Sequence, residues 1–167
     1  MNRLPKLIVW FLTLLFVQAF VFDSMLLGTP FVPFIYVLLL ILLPNDLASW
    51  AVLLTGFFIG LSIDFIYVSG GVHTTACIII SYARPLFIRA VYSDTISLQN
   101  LKIEQESFGE LFRYTAFVIL VHHFFVFVFV AGSTERIGWL LNAWLTNSLI
   151  TILASAFILV LTQSIRK

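Results

Sequence analysis

Charge is what this chain has least of. Of its 167 residues, 10% are Asp, Glu, Lys or Arg and 61% are hydrophobic. A soluble domain carries about 25% charged and about 45–50% apolar residues. A water-soluble globule of this composition would lack the polar side chains to cover its surface, so lipid must be part of its solvent. Cysteine is almost missing: Cys77 stands alone, which excludes an intrachain disulfide, and no C-x-x-C or Cys/His cluster offers a metal site. Charge of one sign does not accumulate either. The formal net charge of +1 excludes a basic nucleic-acid surface and an acidic tail. Catalytic signatures are lacking as well. There is no G-x-S-x-G, no Walker loop, no H-E-x-x-H and no pair of carboxylates within reach of each other. The expectation is a protein that is not an enzyme and uses no cofactor and no metal.

What the chain does have is long apolar runs. A bilayer core about 30 Å thick needs roughly 20 helical residues. The runs predict an all-α integral membrane protein, a single polytopic domain over residues 1–167 with spans at about 5–22, 31–43, 47–67, 72–91, 111–131 and 137–161. Arg3 and Lys6 precede the first run as in a signal peptide, but no small-x-small cleavage site follows, which predicts an uncleaved first helix. The run at 31–43 is short and bounded by Pro30, Pro33 and Pro44. It is expected to be tilted or partly re-entrant.

Polar residues punctuate these runs. Asp23, Ser24, Gly28, Thr29 and Pro30 mark a turn, and Asp46 stands where it could cap the third helix. Ser69-Gly70-Gly71 predicts a tight turn with glycines at positive φ. Residues 92–110 form the one substantial extramembrane segment, to which Leu98, Leu101, Ile103 and Phe108 could give a membrane-facing side. Residues 132–136 turn the chain again. Six spans place Arg3, Lys6, Arg84, Arg89, Lys102, Arg113, Arg166 and Lys167 on one side and Arg136 alone on the other. Basic residues mark the cytoplasmic side, so both termini are expected in the cytoplasm.

Few polar residues lie inside the spans, and each invites a functional reading beside a plain one. Gly56, Gly60 and Asp64 recur every four residues and share a helix face. Two glycines at that spacing admit a close neighbour, so the face would orient a buried polar contact; otherwise Asp64 caps or sits solvated at the headgroups. Arg84 precedes Pro85, which removes a backbone donor and loosens the helix. Arg84 either meets an acidic group or a lipid phosphate, or snorkels to the headgroups, as Arg89 is expected to do. His73 is expected at the interface. His122 and His123 point about 100° apart and cannot share one ligand face, so at least one faces other helices and hydrogen-bonds there; the alternative, proton relay or metal binding, has no H-E-x-x-H or carboxylate companion in the sequence to support it. Asn142, Thr146, Asn147 and Thr151 form a polar stripe, read as interhelical glue or, with His122, as the lining of a polar cavity. Trp10, Trp50, Trp139 and Trp144 are expected mostly in the interfacial belts.

The stretch Gly56-Phe-Phe-Ile-Gly60-Leu61-Ser-Ile-Asp64, followed by Gly71-Val-His73 and Tyr82-Ala-Arg84-Pro85, resembles the rod shape-determining MreD family. The Gly-Leu-x-x-Asp core and the glycine turn after it carry the resemblance over about 45 residues, and Leu42-Leu43-Pro44 also fits. Arg84-Pro85 and the long fourth-to-fifth connection look like the Bacteroidota versions. The resemblance implies a fold similar to the substrate-binding subunits of energy-coupling-factor transporters. It also implies a non-enzymatic scaffold of the cell-elongation machinery in the bacterial inner membrane, supporting cell shape and peptidoglycan synthesis. The implied partners are membrane lipid, MreC and, through it, MreB, RodA and a penicillin-binding transpeptidase. The interface residues would be Gly56, Gly60, Asp64, Gly71, Arg84 and Pro85. The rival expectation is a small-molecule transporter subunit with a cavity at His122, Asn142, Thr146 and Asn147.

Overall fold

The computed structural model describes residues 3–22, 32–92, 101, 103, 106–132 and 137–166. The turn expected at 23–30, most of the 92–110 connection and the turn at 133–136 lie outside the described residues. Every regular element described is helical. Helix α1 is Arg3–Phe16 and runs on into a wider π-helical stretch, Val17–Phe22. Then come α2 (Val37–Ile41), α3 (Ser49–Tyr67), α4 (Val72–Tyr92), α5 (Phe108–Ala131) and α6 (Ile137–Arg166).

The protein is a multi-pass membrane protein. Helices α3, α4, α5 and the Ile137–Thr162 part of α6 are long and apolar enough to cross a bilayer. Their lipid-facing sides carry large apolar residues such as Phe58, Phe65, Leu149 and Phe157. Inside lipid the hydrophobic effect does not drive helices together, so close packing and interhelical hydrogen bonds must. Consecutive helices pack in order, α3 on α4, α4 on α5 and α5 on α6.

The sequence predicts six spans; among the described residues four helices reach that length. The apolar part of the first helix, Val9–Phe20, is shorter. The second run is the main departure. Its helix is only Val37–Ile41, fully buried, instead of the expected 31–43. Pro33 lacks an N–H and pushes the residue before it into extended backbone, so the chain enters α2 unwound. Non-helical backbone is tolerated at membrane depth only where protein satisfies it. Here side chains do so. The Val32 N–H donates to Asn147 Oδ1 at 3.0 Å, the Phe34 N–H to Thr151 Oγ1 at 3.0 Å and the Ile35 N–H to Gln18 Oε1 at 2.9 Å.

Helix ends also differ from expectation. Helix α3 starts at Ser49, and the residue at its N-cap is Ala48 rather than Asp46. Helix α5 starts at Phe108 rather than 111. The Ser107 hydroxyl accepts the Glu110 N–H at 3.4 Å and donates to Glu110 Oε2 at 2.9 Å, so Ser107 is the N-cap of α5. Leu101 and Ile103 are buried in the core rather than facing the membrane. The Leu101 carbonyl accepts from Asn45 Nδ2 at 2.9 Å.

Candidate functional site

The α3–α4 hairpin is built on the Gly56/Gly60/Asp64 face. A Cβ on Gly56 would run into the Ser81 hydroxyl, and one on Gly60 would strike the Thr74 backbone and stand 2.7 Å from the His73 carbonyl oxygen. Both glycines are therefore spent on bringing α3 and α4 into backbone contact. One turn further on, Asp64 is buried and reaches across the loop to the start of α4. Its carboxylate accepts the His73 N–H at 3.0 Å, the Thr74 N–H at 2.8 Å, the Thr74 hydroxyl at 2.5 Å and the Ser69 hydroxyl. The first N–H groups of a helix have no partner within it, and an anion there also meets the positive end of the helix dipole. Between the helices, Val68, Gly70 and Gly71 all have positive φ, and the two glycines make the turn as their sequence predicts.

Next to this lock lies a buried aromatic and imidazole cluster. Tyr36, just before α2, points its hydroxyl between His73 Nδ1 at 2.7 Å and His122 Nε2 at 3.2 Å. The Cys77 sulfur is 3.8 Å from the same His122 nitrogen. A phenol has one proton, so it donates to one imidazole and accepts from the other. His122 Nδ1 has no partner. His123, the next residue, faces elsewhere. Its Nδ1 lies 2.9 Å from the Ile119 carbonyl, which only accepts, so Nδ1 carries the proton. Nε2 then accepts the Thr151 hydroxyl at 3.1 Å. Phe34 stacks on His123 with ring centroids 5.2 Å apart and meets His73 edge-on at 5.1 Å. Gln18 closes the cluster on the α1 side by donating to the Tyr67 hydroxyl at 2.9 Å.

The chain matches no family model, no curated protein and no solved structure with which it was compared. Geometry therefore carries the functional reading. Among the described residues, no three His, Cys, Asp or Glu side chains come together as a metal site.

The structure joins some of the sequence-predicted residues and separates others. Gly56, Gly60 and Asp64 act together. Gly71 is a turn residue with open space where a Cβ would stand, not a packing one. Arg84 does not snorkel. It is buried, donates to the Leu43 carbonyl and hydrogen-bonds Tyr114, while its Nε has no partner. Pro85 lies within α4 without ending it.

The expected cavity of His122, Asn142, Thr146 and Asn147 does not form. Asn142 is exposed and accepts from Thr146 at 3.2 Å, because these two lie on the outward side of α6. Asn147 faces inward and is occupied by the Val32 backbone and the Ala143 carbonyl. His73 is buried against protein at the start of α4, because the Asp64 lock draws this end of α4 into the bundle. Trp144 donates to the Leu120 carbonyl at 2.8 Å and ties α6 to α5. Sequence reasoning missed Tyr36 and Gln18. The available signal was a lone amide and a lone phenol in otherwise apolar runs, where polar groups must find partners.

Proposed function

We propose that this chain is a non-enzymatic integral membrane scaffold of the bacterial cell-elongation machinery, resident in the inner membrane. The observation that carries the reading is the use made of the Gly-Leu-x-x-Asp motif. Gly56, Gly60 and Asp64 close a rigid α3–α4 hairpin with every one of these groups engaged internally, as a scaffold requires and a substrate site does not. The resemblance of this stretch to the MreD family gives the reading its biological direction. In this reading the segment around α2 and helix α1 complete six passes, the two termini lie in the cytoplasm with Arg84, Arg89 and Arg113, and the outward faces meet lipid and partner helices. The partners are MreC and, through it, MreB, RodA and a penicillin-binding transpeptidase.

A crosslinked pull-down of the tagged protein from native membranes tests this. Recovery of a single-span coiled-coil protein together with cell-wall synthases is expected. Recovery of an ATPase pair and a coupling membrane subunit would overturn it in favour of a vitamin-type transporter subunit, similar in fold to those of energy-coupling-factor systems. One observation favours that second reading. Unwound backbone and buried polar groups meet in the middle of the bundle at Val32–Tyr36, the arrangement transporters use at their binding sites. A thermal shift of the purified protein by a vitamin-sized ligand would support it.

A further inference from the structure

We infer that the His73–Tyr36–His122 chain is a hydrated proton relay inside the bundle, with a water site at His122 Nδ1. The first observation is the chain itself: two imidazoles share one phenol, at 2.7 and 3.2 Å, in the protein interior. Ionisable groups buried in a membrane bundle mark proton relays and ion paths. The second is the free end. His122 is fully buried and its Nδ1 has no hydrogen-bond partner among the described residues. Whichever ring the phenol proton faces, this nitrogen is left as either a bare lone pair or a lone N–H. Buried polar groups without protein partners take ordered water, provided other polar groups share it.

The third observation is where such groups lie. Of the buried side-chain atoms without partners, Ser148 Oγ, Thr115 Oγ1 and Ser155 Oγ belong to the inward sides of α5 and α6. Ser148 falls between Trp144, bonded to Leu120, and Thr151, bonded to His123, which sets it at the depth of His122. Ser155 is one turn beyond Thr151, toward Thr115. Thr115 follows Tyr114, the residue that meets Arg84. Three groups without partners thus share the inward sides of α5 and α6 with His122.

The step balances. A proton given by the water at His122 Nδ1 releases the one on Nε2 to the Tyr36 oxygen. The Tyr36 proton passes to His73 Nδ1, and the proton on His73 Nε2 goes to water at the α3–α4 turn, next to which His73 stands. Both rings change tautomer and no net charge remains. The groups facing the relay are Asp64 and Tyr67 from α3, Cys77 from α4 and His123 from α5. Helix α1 presents the neutral Gln18, and α6 presents Asn147, Ser148 and Thr151.

The inference goes beyond the scaffold reading and stands or falls apart from it. The chain has three histidines, so histidine-selective nitrogen labelling gives a spectrum with one internal control. In water-edited solid-state NMR of the full protein in lipid, water magnetisation is expected to reach the His122 ring. It should miss His123, whose two nitrogens are both held by protein. A His122 ring as dry as that of His123 would overturn the water site. Tyr36→Phe keeps the ring and removes the bridge, so it should shift the nitrogen signals of His73 and His122 together and leave His123 in place. Unchanged His73 and His122 signals in that variant would overturn the relay.

Discussion

Asp64 and Arg84 are both buried charges of the α3–α4 hairpin, and they are satisfied to different degrees. Asp64 accepts from two backbone N–H groups and two hydroxyls, three of which belong to the next helix within ten residues. Arg84 depends on groups from distant parts of the chain, the Leu43 carbonyl and the Tyr114 hydroxyl, and leaves Nε unpaired. A carboxylate at a turn can be served by a helix start that the chain supplies locally. A guanidinium deep in a helix must wait for tertiary neighbours. The acid should therefore behave as a lock, and the base as a costly passenger that the fold tolerates.

The comparison can be broken in order of size. Gly60→Leu should be the most damaging change, because a side chain there meets the α4 backbone at Thr74 and cannot be relieved by a rotamer. Overpacking usually costs about 1–3 kcal/mol, and a backbone clash puts this variant at the upper end or past it, read as loss of a monodisperse species in detergent. Asp64→Ala comes next. It strands buried donors worth about 1–3 kcal/mol each, and a net loss of about 3 kcal/mol is expected in detergent unfolding. Asp64→Asn should fall between it and the native protein, since it keeps one acceptor. Equal losses for Ala and Asn would mean that the hydrogen bonds are not what holds the hairpin.

Arg84→Met should cost less, about 1 kcal/mol, because removing an incompletely paired buried charge also removes its desolvation penalty. A loss as large as that of Asp64→Ala would erase the distinction between lock and passenger. The smallest effect has the opposite sign. Val68 is 88% exposed and closes α3 at φ 52°, a region costing a β-branched residue roughly 1–2 kcal/mol. Glycine loses roughly 0.5–1 kcal/mol more backbone entropy on folding, so Val68→Gly should stabilise by about 0.5 kcal/mol. Destabilisation by that variant would show that the turn holds the valine for its contacts.

The α3–α4 hairpin was the most legible part of the molecule. Its apolar length, the Gly56/Gly60/Asp64 repeat and the Gly70-Gly71 turn are all local, and a local pattern folds as it reads. Asp64 turned out to serve both of the roles the sequence allowed, buried contact and helix cap, because the loop is short enough to bring the start of α4 back onto it. The fifth span is expected to start at 111, and the Ser107 cap that begins α5 at Phe108 went unread. The second run was legible in part: its shortness and its prolines pointed to a tilted or partly re-entrant segment, but no local rule announces that the side chains of Gln18, Asn147 and Thr151 will supply the acceptors for its unwound start. The sixth-span stripe was read as one unit and the fold divided it, since Asn142 and Thr146 face out while Asn147 and Thr151 face in.

By itself, then, the sequence determined the solvent. So little charge in so many apolar residues calls for lipid around it, and four of the runs became helices long and apolar enough to span a bilayer, because backbone in hydrocarbon must bond to itself. It also determined the hairpin, since glycine spacing and a neighbouring carboxylate act within one helix turn. Only the tertiary structure decided which polar side chains meet. Tyr36 with His73 and His122, His123 with Thr151, and Arg84 with Leu43 and Tyr114 are separated by tens of residues along the chain. Helical periodicity says which residues share a face but not which face of which helix lies opposite, and that choice is made by packing over the whole bundle.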